Sequence, residues 1–167
     1  MDALPFPGCM YWVEMGRLAG SCIPGGPDDV RAIRGFGIRR VVVLPEEFEI
    51  AERWGRMSSY FEALSLLGLD YIHEPIADMD APTPRQLVEI LRWIREGAGV
   101  PTLVHCVGGI GRTGTVISAW LIVERQMSAG DAIGLVRSLR PGSIQSYNQV
   151  RFLLELEENI EKIRKML

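Results

Sequence analysis

The sequence predicts a single α/β domain, and three observations carry that reading. Short apolar runs alternate along the chain with stretches of helical periodicity. Its 167 residues, 47% hydrophobic and 23% charged, suffice for one sizeable core and are too apolar for a disordered chain. No internal repeat or low-complexity linker divides the chain.

Residues 11–13 (YWV) and 18–22 (LAGSC) read as two short strands around a turn at Gly16. Pro27, Asp28 and Asp29 open a short helix, because proline suits a first helical position and acids suit the positive end of the helix dipole. Residues 38–44 (IRRVVVL) form a β-branched strand, stopped at Pro45, which has no N–H for a ladder. Residues 46–57 and 58–67 read as helices and 69–74 (LDYIHE) as another strand. A loop over 77–84 (ADMDAPTP) follows. Thr83 caps a helix that starts at Pro84 and turns Leu87, Ile90, Leu91 and Ile94 to one side. Residues 102–105 (TLVH) form a strand, and 112–126 a helix apolar nearly all round, which must lie buried against the sheet. Ser128 or Asp131 starts the next helix, which ends near Arg140-Pro141-Gly142. Ser146 caps the last one, whose stripe of Leu153, Leu156, Ile160, Ile163 and Leu167 reads as core packing.

Composition excludes several classes. With 18 basic and 21 acidic residues the net charge is −3, without the basic excess that nucleic-acid binding needs. The uncharged stretch from Thr113 to Val123 is shorter than the roughly 20 residues that cross a bilayer. The N-terminus, with Asp2, prolines and Gly8, lacks a basic-then-apolar leader pattern. Three cysteines without a CxxC, and only His73 and His105 beside them, offer no zinc site, so no metal or cofactor is expected. The odd count reads as free thiols, with Cys9 and Cys22 packed in the core, and free thiols point to the reducing cytoplasm.

One segment carries chemistry: His105-Cys106-Val107-Gly108-Gly109-Ile110-Gly111-Arg112-Thr113-Gly114. A strand ends in a cysteine, and five residues later an arginine opens an apolar helix. Glycines let successive N–H groups turn into one cup, and the helix N-terminus adds partial positive charge there. Such a cup, from Val107 to Gly111, binds an oxyanion of phosphate size. The fork of Arg112 can hold two of its oxygens. Cys106 lies under the same field, which favours a thiolate nucleophile.

The pattern His-Cys-x5-Arg-Thr resembles the loop of the protein tyrosine phosphatase superfamily. Gly16-Arg17-Leu18-Ala19-Gly20, Ala129-Gly130-Asp131-Ala132-Ile133 and Arg140-Pro141-Gly142-Ser143-Ile144 are similar to segments of the small atypical dual-specificity phosphatases. Val43-Leu44-Pro45-Glu46-Glu47 resembles the small archaeal members. The likeness runs from about Trp12 to Leu154. It implies a mostly parallel mixed sheet with helices on both faces, and a pocket at the carboxyl end of the strand before Cys106.

The resemblance also implies roles. Cys106 attacks phosphorus and forms a phosphocysteine, which water hydrolyses. Asp78, in Ile76-Ala77-Asp78, matches the family's general acid better than Asp80, although Ala77 stands where the family carries proline. Thr113 matches the hydroxyl that hydrogen-bonds the departing sulfur. Gln145 and Gln149 are both candidates for orienting the water. His105 holds the loop by hydrogen bonds instead of acting as a base, and His73 is structural. Tyr11, Trp12, Met79 and Tyr147 serve either the pocket rim or the core. The expected substrates are phosphorylated proteins or peptides, with phosphotyrosine foremost and phosphoserine or phosphothreonine in a shallow cup, and the protein is expected to act as a monomer. Three rivals remain: a lipid or polyphosphate phosphatase, which the neutral residues between Cys106 and Arg112 disfavour; a sulfurtransferase of the rhodanese type, which Arg112-Thr113-Gly114 fits poorly; and a non-catalytic phosphoprotein-binding module, against which every catalytic part is present.

Overall fold

A computed structural model describes residues 4–167, so Asp2 in the leader reading lies outside the described residues. Five strands form one sheet in the order β1-β2-β5-β3-β4, comprising β1 (Tyr11–Glu14), β2 (Leu18–Ser21), β3 (Arg40–Val43), β4 (Asp70–His73) and β5 (Thr102–His105). The β1–β2 hairpin is antiparallel and every other pairing is parallel. This is the mixed, mostly parallel sheet expected. Side chains alternate across it because successive residues of a strand point to opposite faces. Leu18, Val42 and Val104 enter one core, while Ala19, Val41, Val43 and Leu103 enter the other.

The first core is covered by α4 (Pro84–Glu96), α5 (Gly111–Glu124), α6 (Ala129–Leu139), α7 (Tyr147–Glu158) and α8 (Ile160–Met166). The second is covered by α1 (Pro27–Gly35), α2 (Glu47–Trp54) and α3 (Met57–Leu66). Helix α5 is buried from Gly111 to Val123, as its uniform apolarity requires. Each fully buried aliphatic side chain in it contributes about 1.5–3 kcal/mol. That burial fixes the N-terminus of α5 against the end of β5, where Cys106 emerges. No helix among the described residues is long and apolar enough to cross a membrane.

Two expectations are corrected. Cys9 and Cys22 are not packed thiols but form a disulfide, with Cα atoms 5.8 Å apart. The hairpin register explains it. Tyr11 pairs with Gly20, and two residues further along each chain Cys9 comes to lie opposite Cys22. The free-thiol argument for a reducing compartment therefore rests on Cys106 alone. The helix expected to run unbroken from Ser146 is split at Asn159, whose side-chain amide donates to the Glu155 carbonyl at 2.8 Å. Asparagine competes in this way with the helix ladder. Of the two starts proposed for α6, Ser128 is the cap, accepting from the Asp131 N–H.

Candidate active site

The loop after β5 folds back on β2. Gly109 has φ +74, and a Cβ there would lie 2.5 Å from the Ser21 carbonyl carbon, so only glycine fits. On the other side, a Cβ on Gly111 would meet Gln145 Oε1 at 2.5 Å, so a side chain there would push Gln145 aside. The loop is braced at both flanks: Ile23 N–H donates to the Val107 carbonyl at 2.9 Å, and Ile144 N–H to the Ile110 carbonyl at 3.1 Å. Cys106, 2% exposed, sits at the floor, and its sulfur accepts from the Gly109 N–H at 3.2 Å.

A cavity of about 220 Å³ opens above it. Cys106, Val107, Gly108, Ile110, Gly111 and Arg112 line it from the loop, and Glu49, Asp78 and Gln145 face it from three other segments. Arg112 is the one base among them. Its guanidinium meets the Glu49 carboxylate with both terminal nitrogens, at 2.7 and 2.9 Å, and donates to the Ile76 carbonyl at 2.8 Å. The Glu49 carboxyl is held below its ordinary pKa by the Arg112 hydrogen bond, against the opposing effect of burial. Arg112 Nε is buried without a hydrogen-bond partner among the described residues.

Glu49 is the residue that sequence reasoning missed. It stands just beyond the Val43–Glu47 resemblance and pairs with an arginine 63 positions away. The usable signal was chemical, since a buried arginine at the floor of a cup needs an anion beside it. The structure also supplies its mounting. Glu49 sits in the first turn of α2, where its Oε1 accepts from the Glu46 N–H at 2.9 Å in a capping box.

The remaining candidates fall as follows. Asp78 lies 3.6 Å from Arg112 Nη2 and faces the cavity. Asp80 is outside that lining, and its backbone carries its contacts: its N–H donates to Ala77 and its carbonyl accepts from Gln149. Thr113 is fully buried with its hydroxyl unpartnered, so it does not cap α5; the back-bond to Gly111 is made by Thr115, at 2.7 Å. Gln145 lines the cavity, whereas Gln149 is fully buried and outside the lining. His105 points away from the cup: Nδ1 bonds the Cys106 carbonyl at 2.9 Å and Nε2 the Tyr60 hydroxyl at 2.7 Å. A carbonyl only accepts, so Nδ1 carries the proton and Nε2 accepts from Tyr60. Burial lowers the His105 pKa to about 4, leaving a neutral ring. His73 bonds the Pro45 carbonyl at 2.8 Å, a structural contact. Met79 and Tyr147 are exposed, whereas Tyr11 and Trp12 pack against the cores.

The profile of the Swiss Army Knife protein, DSP-PTPase phosphatase domain (PTP-SAK) matches residues 7–153. Among solved structures, Tk-PTP in its active form is 36% identical, covers 93% of this chain and 99% of its own, and superposes with a TM-score of 0.81. Kinase associated phosphatase (KAP), with its catalytic site cysteine substituted by serine, is 25% identical over 86% of this chain and 87% of that one, with a TM-score of 0.79. Tyrosine-protein phosphatase cdc-14 of Caenorhabditis elegans is 32% identical over 77 residues, 46% of this chain and 11% of that protein. Phosphatidylglycerophosphate phosphatase PTPMT1 of Arabidopsis thaliana is 27% identical over 132 residues, 77% of this chain and 37% of that protein. The chain spans well under half the length of each of these two relatives.

Proposed function

The chain belongs to the protein tyrosine phosphatase superfamily of cysteine phosphatases, and from that premise we propose that it hydrolyses phosphotyrosine in proteins or peptides, and phosphoserine or phosphothreonine where they reach the cup. The observation that carries this reading is the convergence on one cavity of Cys106, the loop amides, an Arg112 oriented by Glu49, and Asp78.

In the first step the Cys106 thiolate attacks phosphorus from the floor. The S–P bond forms as the P–O bond to the leaving group breaks, and Asp78 donates its proton to the departing oxygen. Main-chain N–H groups from Val107 to Gly111 and the start of α5 meet the charge on the equatorial oxygens. The N–H groups of Arg112 not spent on Glu49 and Ile76, at Nε and on Nη2, are donors for the same oxygens. In the second step a water, oriented by Gln145, attacks phosphorus and gives its proton to the Asp78 carboxylate. The S–P bond breaks, the thiolate returns with the Thr113 hydroxyl donating to it, and inorganic phosphate leaves.

Two features support an aryl phosphate on a protein. Phe48, Met79 and Tyr147 are exposed apolar side chains within two residues of Glu49, Asp78 and Gln145, and they are the candidate apolar contacts for an aromatic ring on the segments that line the cup. With Glu49 and Asp78 in the lining against Arg112 alone, a substrate bearing several phosphates meets little added positive charge. The test is hydrolysis of p-nitrophenyl phosphate that persists with a metal chelator, stops with vanadate and is lost in Cys106→Ser. A panel of phosphopeptides and phosphoinositides then reads the substrate class. Loss of activity on chelation, or faster turnover of the phosphoinositides, would overturn the reading.

A further inference from the structure

The turn that carries Asp78 has few contacts of its own. Asp78 is 70% exposed at its side chain, and its one ionic contact among the described residues is the 3.6 Å approach to Arg112. The next residue, Met79, has φ +67, in the left-handed region that costs a residue with a Cβ roughly 1 kcal/mol. Inside the turn a single hydrogen bond, Asp80 N–H to the Ala77 carbonyl at 3.0 Å, closes it. Its conformation must therefore be set from outside.

The start of α7 supplies that support. Ser146 Oγ donates to the Met79 carbonyl at 2.6 Å, and Gln149 Nε2 donates to the Asp80 carbonyl at 3.0 Å. These acceptors belong to the two residues that directly follow Asp78. The donors are themselves fixed. Ser146 and Gln149 form a capping box, with Gln149 N–H donating to Ser146 Oγ at 3.1 Å and Gln149 Oε1 accepting from the Ser146 and Gln145 N–H groups. Gln149 is fully buried. Its carbonyl oxygen is thus committed to the helix start and its amide to the acid-bearing turn, while the neighbouring Gln145 faces the cavity.

We propose that Ser146 and Gln149 are positioning residues for proton delivery: a strut from the first turn of α7 that sets where Asp78 stands over the leaving oxygen. The inference rests on Asp78 being the general acid. Because the same capping box carries Gln145, one rigid helix start aligns both the acid and the residue that orients water.

The experiment separates the strut from folding and from the water-activating step. Gln149→Glu keeps a carboxylate oxygen for the capping box and removes the donor to Asp80; Ser146→Asp keeps an N-cap and removes the donor to Met79. Each variant is assayed on an aryl phosphate series from dinitrophenyl to phenyl phosphate, with melting temperature measured alongside. A proton matters most to the poorest leaving group. The strut predicts roughly a 10- to 100-fold fall in kcat/KM on phenyl phosphate, which reads only the step that expels the leaving group, little change in kcat/KM on dinitrophenyl phosphate, a melting temperature near wild type for Ser146→Asp and a lower one for Gln149→Glu, whose carboxylate is buried, and recovery in Ser146→Thr. Asp78→Asn shows the same leaving-group dependence more strongly, and adding Gln149→Glu to it costs nothing further. A loss equal for all leaving groups, or a loss that adds to that of Asp78→Asn, overturns the strut while leaving the acid in place. An Asp78→Asn variant with no leaving-group dependence overturns the acid assignment, and the strut with it.

Discussion

Glu49 meets the guanidinium of Arg112 with both carboxylate oxygens, and the pair is nearly dry, with side-chain exposures of 11% and 3%. A bidentate contact of this kind fixes the plane of the guanidinium as well as its distance. Arg112 then offers its remaining N–H groups to the cup without having to be ordered by substrate. Glu49→Gln should leave a buried charge unanswered, which costs about 3 kcal/mol or more. Urea unfolding should show that loss, and steady-state kinetics on p-nitrophenyl phosphate should show KM raised by roughly tenfold, about 1.4 kcal/mol of binding. A variant with wild-type stability and KM would mean that the pair does not orient Arg112.

Acidification should destabilise the fold in two separable windows. His105 is neutral in the folded protein with a pKa of about 4, against an ordinary value of 6.5. Between these values the unfolded chain binds a proton that the folded chain does not, so stability falls as pH drops from 6.5 toward 4, by on the order of 3 kcal/mol in all. Glu49 acts lower. Its folded carboxyl titrates below 4.5, so its contribution is present above that pH and is lost as pH falls through the folded value. Denaturation curves across the upper window should be steeper in pH for wild type than for His105→Asn. Equal slopes would mean that the buried ring is not what responds.

The two acids of the loop should separate cleanly. Asp78→Ala should cut turnover of phenyl phosphate by roughly 10²–10⁴. Asp80→Ala should change it little, because Asp80 contributes its backbone carbonyl to Gln149 and its side chain is outside the cavity lining. A larger loss at Asp80 would reverse the assignment.

The Cys9–Cys22 disulfide closes a short loop, with a sequence separation of 13, beside the strand end that Gly109 packs against. By loop-closure entropy, replacing both cysteines with serine should cost about 3 kcal/mol. Titration with a thiol reagent in denaturant should find one thiol per chain, Cys106, and three after reduction. Three thiols without reduction would refute the pairing.

Local signals made much of this molecule legible. The β-branched run before Pro45, the Thr83-Pro84 helix start and the all-apolar α5 are written in neighbouring residues, as is the glycine cup from Cys106 to Arg112. Relationships across the fold were not. The Arg112–Glu49 pair spans 63 residues, and Gln149 reaches back 69 to Asp80. Neither spacing has a periodic signature: the first joins helices docked on opposite faces of the sheet, and the second joins the start of α7 to the loop after β4. Cys9–Cys22 was readable in principle, by extending the hairpin register two residues past Tyr11 and Gly20. Counting cysteines hid it, because an odd total does not prevent two of the three from pairing.

The central claim is that sulfur at position 106 carries the phosphoryl group between two steps. Rapid acid quench during turnover of p-nitrophenyl phosphate, followed by mass spectrometry of the peptide containing Cys106, tests it directly. The account predicts one phosphoryl group on Cys106, accumulating further when the second step is slowed by Gln145→Ala, and none in Cys106→Ser. Phosphate on another residue, or undiminished hydrolysis by Cys106→Ser, would contradict it.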